Sequence, residues 1–285
     1  MDKRKVIFYL TIVFVISFAL QGIVYLRGGV NSKDFPWLAQ SLMWVPGIVA
    51  ICMRIFTREG FKNAGLKWGK MIYYPLAIFL PLLISLIYIF FSLKFGLSSF
   101  NFELINFKDG LVSFGKGIGL VLGTNSQPVY FFVFNFILSI LVGSILASLF
   151  TAGEELGWRS YLLPKLVNLS GLTKGIILSG LIWGYWHFPI ILMGYNFPHY
   201  PLLGAFILMP ISTLFLGTIS AFLYFKSKSL FPSVFFHSSV NLCMGLSEGL
   251  LLSRNLWMDL LHLSIWGGFA VLLFWRLKKV MIEST

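Results

Sequence analysis

Three short stretches of this chain combine residue types suited to moving protons: Glu154-Glu155-x-x-x-Arg159, Trp183-x-x-x-His187 and His237-x-x-x-Asn241. Residues four apart on a helix share a face, so each stretch predicts a pair of side chains presented together. Glu155 and Arg159 stand in the favourable order for an ion pair, acid before base. Glu154 points about 100° away from Glu155 and is left out of that pair. A carboxylate and an imidazole, both poorly solvated, can hold and deprotonate a water molecule, which makes Glu154 with His187 a candidate general base. His237 and Asn241 can donate hydrogen bonds to the oxygen that turns negative when water attacks an amide, and such donors are worth about 10²–10³ in rate each. Arg159 would orient the acidic pair from behind. Together these groups describe amide hydrolysis. Zinc chemistry is the rival, because Glu154, His187 and His237 make up a carboxylate and two imidazoles, a set that can bind catalytic zinc. The HExxH helix that usually carries such a metal is missing, and metal-independent water activation is the preferred reading. Ser238, Ser239 and Cys243 neighbour the third pair but have no evident partnered base, which argues against a nucleophilic mechanism.

The elements that must position these groups are membrane helices. The chain has 285 residues, is 58% hydrophobic and only 11% charged, and has a mean hydropathy of +0.85. Soluble domains carry about 25% charged residues, so an all-α, polytopic membrane protein is expected. Apolar runs long enough to span lie at 6–26, 36–55, 71–93, 129–152, 173–193, 202–225, 231–252 and 256–275, eight in all. The stretch 104–123 is weaker, and Lys108, Asp109 and Lys116 mark it as an interfacial segment or loop. The whole chain, 1–285, reads as a single membrane domain, with 129–245 as the motif-bearing core.

The net charge of +12 does not indicate nucleic acid, since the basic residues lie in short connections between apolar runs and build no basic face. With the N-terminus cytoplasmic, 16 of the 22 Lys and Arg residues fall on the inside and six on the outside, which places both termini in the cytoplasm of a multi-pass cell-membrane protein. The first run follows Lys3-Arg4-Lys5 but is too long for a signal peptide and reads as a retained span. Cys52 and Cys243 sit within apolar runs, as buried small hydrophobes rather than a disulfide.

Nothing interrupts the helical pattern from Phe131 to Leu163, and Pro164 is the expected stop. At about 1.5 Å per residue, Glu154 lies roughly 18 Å, His187 roughly 21 Å and His237 roughly 12 Å from the inner ends of their helices, depths compatible with one shared site. An ionisable group at a helix centre costs about 2.5–3.5 kcal/mol on insertion scales, so several of them call for a hydrated cavity. Pro189 should end or kink the helix just after His187. Gly153-x-x-x-Gly157 and Gly180-x-x-x-Gly184 should let the fourth and fifth spans approach closely. His199, His262, Glu248 and Asp259 fall toward the outer side, while Trp37, Trp68 and Trp257 read as interfacial anchors.

The ordered triplet resembles the CPBP family, the CAAX proteases and bacteriocin-processing enzymes also called the Abi family, whose members show EExxxR, FxxxH and HxxxN on three helices. The resemblance covers roughly 129–245 and departs at Trp183, which stands in place of Phe and keeps an aromatic wall. It implies a glutamate-dependent intramembrane endopeptidase with a conical cavity, in which Glu154 and His187 activate water and His237 and Asn241 form the oxyanion hole. Its substrate would be a membrane-associated peptide or protein, prenylated or not, and a bacterial peptide-maturation or immunity role is the closer analogy. No cofactor is implied, with zinc as the open alternative, and the partners are membrane lipid and the substrate. A non-catalytic scaffold or bacteriocin-immunity protein of the same fold is the other reading. A proton-coupled transporter is a third, disfavoured because no internal repeat is evident.

Overall fold

The computed structural model describes residues 2–114 and 126–283. The chain is a succession of helices: α1 (Asp2–Leu26), α2 (Phe35–Phe56), α3 (Tyr73–Lys94), α4 (Val129–Glu155), α5 (Leu163–Ser170), α6 (Leu172–Trp186), α7 (Phe188–Leu192), α8 (Pro201–Leu203), α9 (Met209–Ser227), α10 (Phe231–Leu250) and α11 (Leu256–Glu283). Six helical stretches among the described residues are long and apolar enough to cross a membrane: Asp2–Leu26, Phe35–Phe56, Tyr73–Lys94, Val129–Ser170, Pro201–Ser227 and Leu256–Lys279. The protein is a multi-pass membrane protein. Two of the eight expected spans fall outside these six for physical reasons. The run at 173–193 is broken at His187 into α6, with 15 residues, and α7, with five. Helix α10 is long enough, but Ser233, His237, Ser238, Ser239, Asn241, Ser247 and Glu248 make it polar.

The helix that carries the acidic pair does not stop at Pro164. Helix α4 passes through a π-helical segment, Leu156–Leu162, directly into α5, giving one continuous stretch of 42 residues. A proline inside a helix deprives the carbonyl one turn earlier of its backbone donor. Beside Pro164, Arg54 Nη2 donates to Ser160 O at 2.7 Å, while Ser160 Oγ donates to Ala64 O at 2.8 Å. Side-chain hydrogen bonds to α2 and to the connection after it thus fix the helix next to the proline. The stretch ends instead at Gly171, whose positive φ of 80° turns the chain straight into α6.

The residues group into two compact units, one of 1–73, 150–234 and 266–285, the other of 74–149 and 235–265. In the first, Tyr9, Trp158, Tyr161, Leu162, Trp186, Ile191, Ile219 and Leu223 are among the fully buried side chains. The glycine patterns act here, on partners other than those expected. A Cβ at Gly153 would lie 2.6 Å from Trp44 Cα, and Gly157 faces Pro46, so this pair seats the π-segment helix on α2. A Cβ at Gly184 would lie 2.5 Å from Pro210 Cα, and one at Gly180 2.6 Å from Leu214 Cα, so that pair admits α9. Each set of small residues serves a different neighbour, and neither mediates contact between the fourth and fifth spans.

In the second unit, Tyr88, Ile89, Ile105, Val112, Leu250, Leu251 and Met258 form one apolar cluster, and Ile78, Ile140 and Cys243 another. Part of the weak 104–123 stretch is a β-hairpin. Strand β1 (Ile105–Lys108) pairs antiparallel with β2 (Leu111–Phe114), and β2 pairs with β3 (Gln127–Pro128). Asp109 and Gly110 both take positive φ, as the two-residue turn that matches strand twist requires. The remainder of that stretch, with Lys116, lies outside the described residues. Cys243 is buried, but Cys52 is exposed on α2, contrary to its expected burial. The ring of His262 packs on that of Tyr88, with centroids 4.8 Å apart.

Candidate active site

Glu154 ends the α-helical part of α4 and is 2% exposed. A buried carboxylate needs donors, and two indoles provide them. Trp183 Nε1 donates to Glu154 Oε2 at 2.6 Å, and Trp158 Nε1 donates to the same oxygen at 3.4 Å. Trp158 stands four residues after Glu154, at the spacing that placed Arg159 opposite Glu155, and that spacing is the signal by which the sequence could have disclosed it. The π-turn that starts at Leu156 gives each residue a smaller rotation than an α-turn does, and it carries both Trp158 and Arg159.

Glu155 and Arg159 are 0% and 2% exposed, and Arg159 Nε lies 3.1 Å from Glu155 Oε2 as a buried ion pair. The guanidinium also lies over Trp183, with Cζ 4.0 Å from the ring centroid. A cation over an indole face is attracted by the ring quadrupole, more so when both are out of water. Trp183 therefore takes the charge of Arg159 on its face and gives its N–H to Glu154. It is more than an aromatic wall.

His187 sits at the break between α6 and α7. Its Nδ1 lies 2.9 Å from the carbonyl oxygen of Trp183. A carbonyl oxygen only accepts, so Nδ1 is the donor in this bond. Trp186 stacks edge-on against the imidazole, with centroids 4.6 Å apart. Pro189 prevents α6 from continuing smoothly, and a residue of α1 mends the gap. Gln21 Nε2 donates to Trp186 O at 3.1 Å, and Ile190 N donates to Gln21 Oε1 at 2.8 Å, so one side-chain amide stands where a backbone hydrogen bond would have run. Trp186 Nε1 donates to Ser17 Oγ at 2.6 Å. Ser17 and Gln21, four apart in an apolar helix, are both fully buried, and no spacing rule in the sequence singles them out.

His237 and Asn241 lie one turn apart on α10 within the second unit, His237 buried and Asn241 exposed. The helix is fixed there by Ser238, whose Oγ donates to Ser144 O at 2.7 Å, and by Ser239, whose Oγ donates to Ile78 O at 2.6 Å. Both hydroxyls are thus committed to backbone carbonyls, as helix-packing residues are. Among the described residues there is no group of three or more His, Cys, Asp or Glu side chains that could hold a metal ion.

Two comparisons with known proteins bear on the site. The family described as type II CAAX prenyl endopeptidase Rce1-like matches residues 125–243. A protein of Methanococcus maripaludis named CAAX prenyl protease 2 is 30% identical over 158 residues, which is 50% of this chain and 58% of that protein. The chain thus spans little more than half the length of this relative. The matched segment contains all three pairs, and the CPBP resemblance carried by Glu154-Glu155, Arg159, His187, His237 and Asn241 is a resemblance to the Rce1-like CAAX prenyl endopeptidases over residues 125–243.

Proposed function

We propose that this protein is an intramembrane endopeptidase that cleaves a peptide bond in a membrane-associated peptide or protein. The observation that carries the reading is a buried carboxylate, Glu154, held on one oxygen by indole N–H donors, with Trp183 linking it to the imidazole of His187. In this mechanism Glu154 and His187 hold a water molecule. Its proton passes to Glu154 as the oxygen attacks the amide carbon. The carbonyl oxygen becomes negative and is met by donors from His237 and Asn241. The C–N bond then breaks, and the proton from Glu154 passes to the leaving amine. The assignment of His237 and Asn241 is supported by their one-turn spacing and by the family match, which includes both.

The name of the relative, CAAX prenyl protease 2, supports a CAAX prenyl substrate, and the charge bias supports both termini lying on the cytoplasmic side. Reconstituted into liposomes with a quenched peptide bearing a lipidated tail, the wild-type protein is expected to cleave it. Glu154→Gln should slow cleavage by at least about 10³-fold with an unchanged unfolding temperature. Undiminished turnover in that variant removes the base. The mechanism as written uses Glu154 and His187 alone to activate water and needs no resident metal. Treatment with 1,10-phenanthroline or EDTA is expected to leave the rate within about twofold of untreated protein. Loss of activity restored by added zinc would favour the metal route.

A further inference from the structure

We infer that Trp183 is a positioning residue for Glu154, aiming the carboxylate through its indole N–H and reinforced by Arg159 on its face. The inference rests on the reading of Glu154 as the general base.

Three measurements converge on one residue. Trp183 Nε1 lies 2.6 Å from Glu154 Oε2, a short, charge-assisted contact. Arg159 Cζ lies 4.0 Å from the centroid of the same ring. Trp183 O accepts from His187 Nδ1 at 2.9 Å. The side chain of Trp183 thus fixes the carboxylate while its backbone fixes the imidazole. A cation over the ring draws electron density away from the indole and makes its N–H a better donor. Glu155 holds Arg159 in that place. The order of influence runs from Glu155 through Arg159 and Trp183 to Glu154.

The consequence is geometric. With Oε2 engaged by Trp183 and, more distantly, by Trp158, the carboxylate plane is set from that side. A carboxylate that rotates about its last torsion would spend much of its time aimed elsewhere. Removing the stronger donor should therefore slow the chemical step and leave substrate binding alone. The family pattern has phenylalanine here, which gives an aromatic wall without the N–H. Trp183→Phe keeps an aromatic ring and deletes its one indole donor.

The test is steady-state cleavage by Trp183→Phe, Trp158→Phe, Glu154→Gln and the Trp183→Phe/Glu154→Gln pair, with unfolding temperature followed alongside. Trp183→Phe should lower kcat about 10- to 100-fold with KM within about twofold, since misaiming a reacting group by about 1 Å can cost 10² in rate. Trp158→Phe, which removes the longer bond, should cost less than about tenfold. In the Glu154→Gln background Trp183→Phe should cost nothing further, because groups acting as one unit are not additive. Unchanged kcat in Trp183→Phe, a rise in KM alone, or an additional loss in the Glu154→Gln background would each overturn the inference while leaving the base in place. Full turnover by Glu154→Gln alone would instead sink the base, and the positioning role with it.

Discussion

A guanidinium and a carboxylate shielded from water are costly to hold, and each becomes costlier if the other is removed. Glu155 and Arg159 are in that position, both almost fully buried. Arg159→Ala would remove the ion-pair partner of a buried Glu155 and is expected to destabilise the protein by about 3–5 kcal/mol, read as a lower unfolding temperature in detergent. Replacing both partners, as Glu155→Met/Arg159→Met, should restore most of that stability yet not the cleavage rate, since Trp183 would lose the cation on its face. At this scale the sequence was informative about spacing and silent about hydrogen. The i, i+4 rule discloses the Glu155–Arg159 pair at once. It holds equally for Glu154 and Trp158, but tryptophan in an apolar run reads as bulk, and its single N–H has no signature. The bond from Trp183 to Glu154 joins residues 29 apart and depends on how two helices face each other, which no local spacing encodes.

At the scale of elements, the distinctive feature is the break between α6 and α7 that carries His187. Pro189 marks the break in the sequence, but the repair comes from α1, more than 160 residues away. Gln21→Leu keeps the volume and removes the amide, leaving the Trp186 carbonyl and the Ile190 N–H unpaired. The expected cost is about 1–3 kcal/mol of stability, together with slower cleavage because His187 is no longer held. Calorimetry and the peptide assay on one preparation would check both. Pro164 shows the opposite outcome: the helix continues through it, with Arg54 donating to the Ser160 carbonyl beside it. A proline reports a missing donor, and only tertiary structure decides whether the helix stops, bends or borrows. The glycine pairs were legible as places of close approach but not as to which neighbour would arrive. The Asp109-Gly110 turn was legible in principle, and the charges around it drew the reading toward a loop.

At the scale of the molecule, a charge network ties separate segments of the first unit together. Glu59, in the connection between α2 and α3, accepts from Lys5 at 2.8 Å and from Lys165 at 2.7 Å, so α1 and α5 are both held to it. Burial pushes its carboxyl up, but the hydrogen bonds and charges of Lys165 and Lys5 outweigh that and bring it from 4.5 down to about 2. The folded protein therefore binds this proton less readily than the unfolded chain. The stability that Glu59 contributes is complete above about pH 4.5 and is lost as the pH falls toward 2. Unfolding temperature should decline over that window in the wild-type protein and decline less steeply in Glu59→Gln. The membrane character and the positions of most long helices followed from hydropathy alone, because lipid leaves few other solutions. The long helix at Val129–Ser170 and the divided one at His187 did not, because a π-turn and a borrowed amide carry no hydropathy signal. The central claim is that Glu154 activates water for peptide hydrolysis in the membrane. It is tested most directly by mass spectrometry of membrane-derived peptides from cells making either the wild-type protein or Glu154→Gln at equal levels. The account expects a discrete set of cleaved termini that accumulates with the wild-type protein, while its uncut precursors accumulate with the variant. Indistinguishable peptide profiles from the two, with both proteins folded in the membrane, would contradict it.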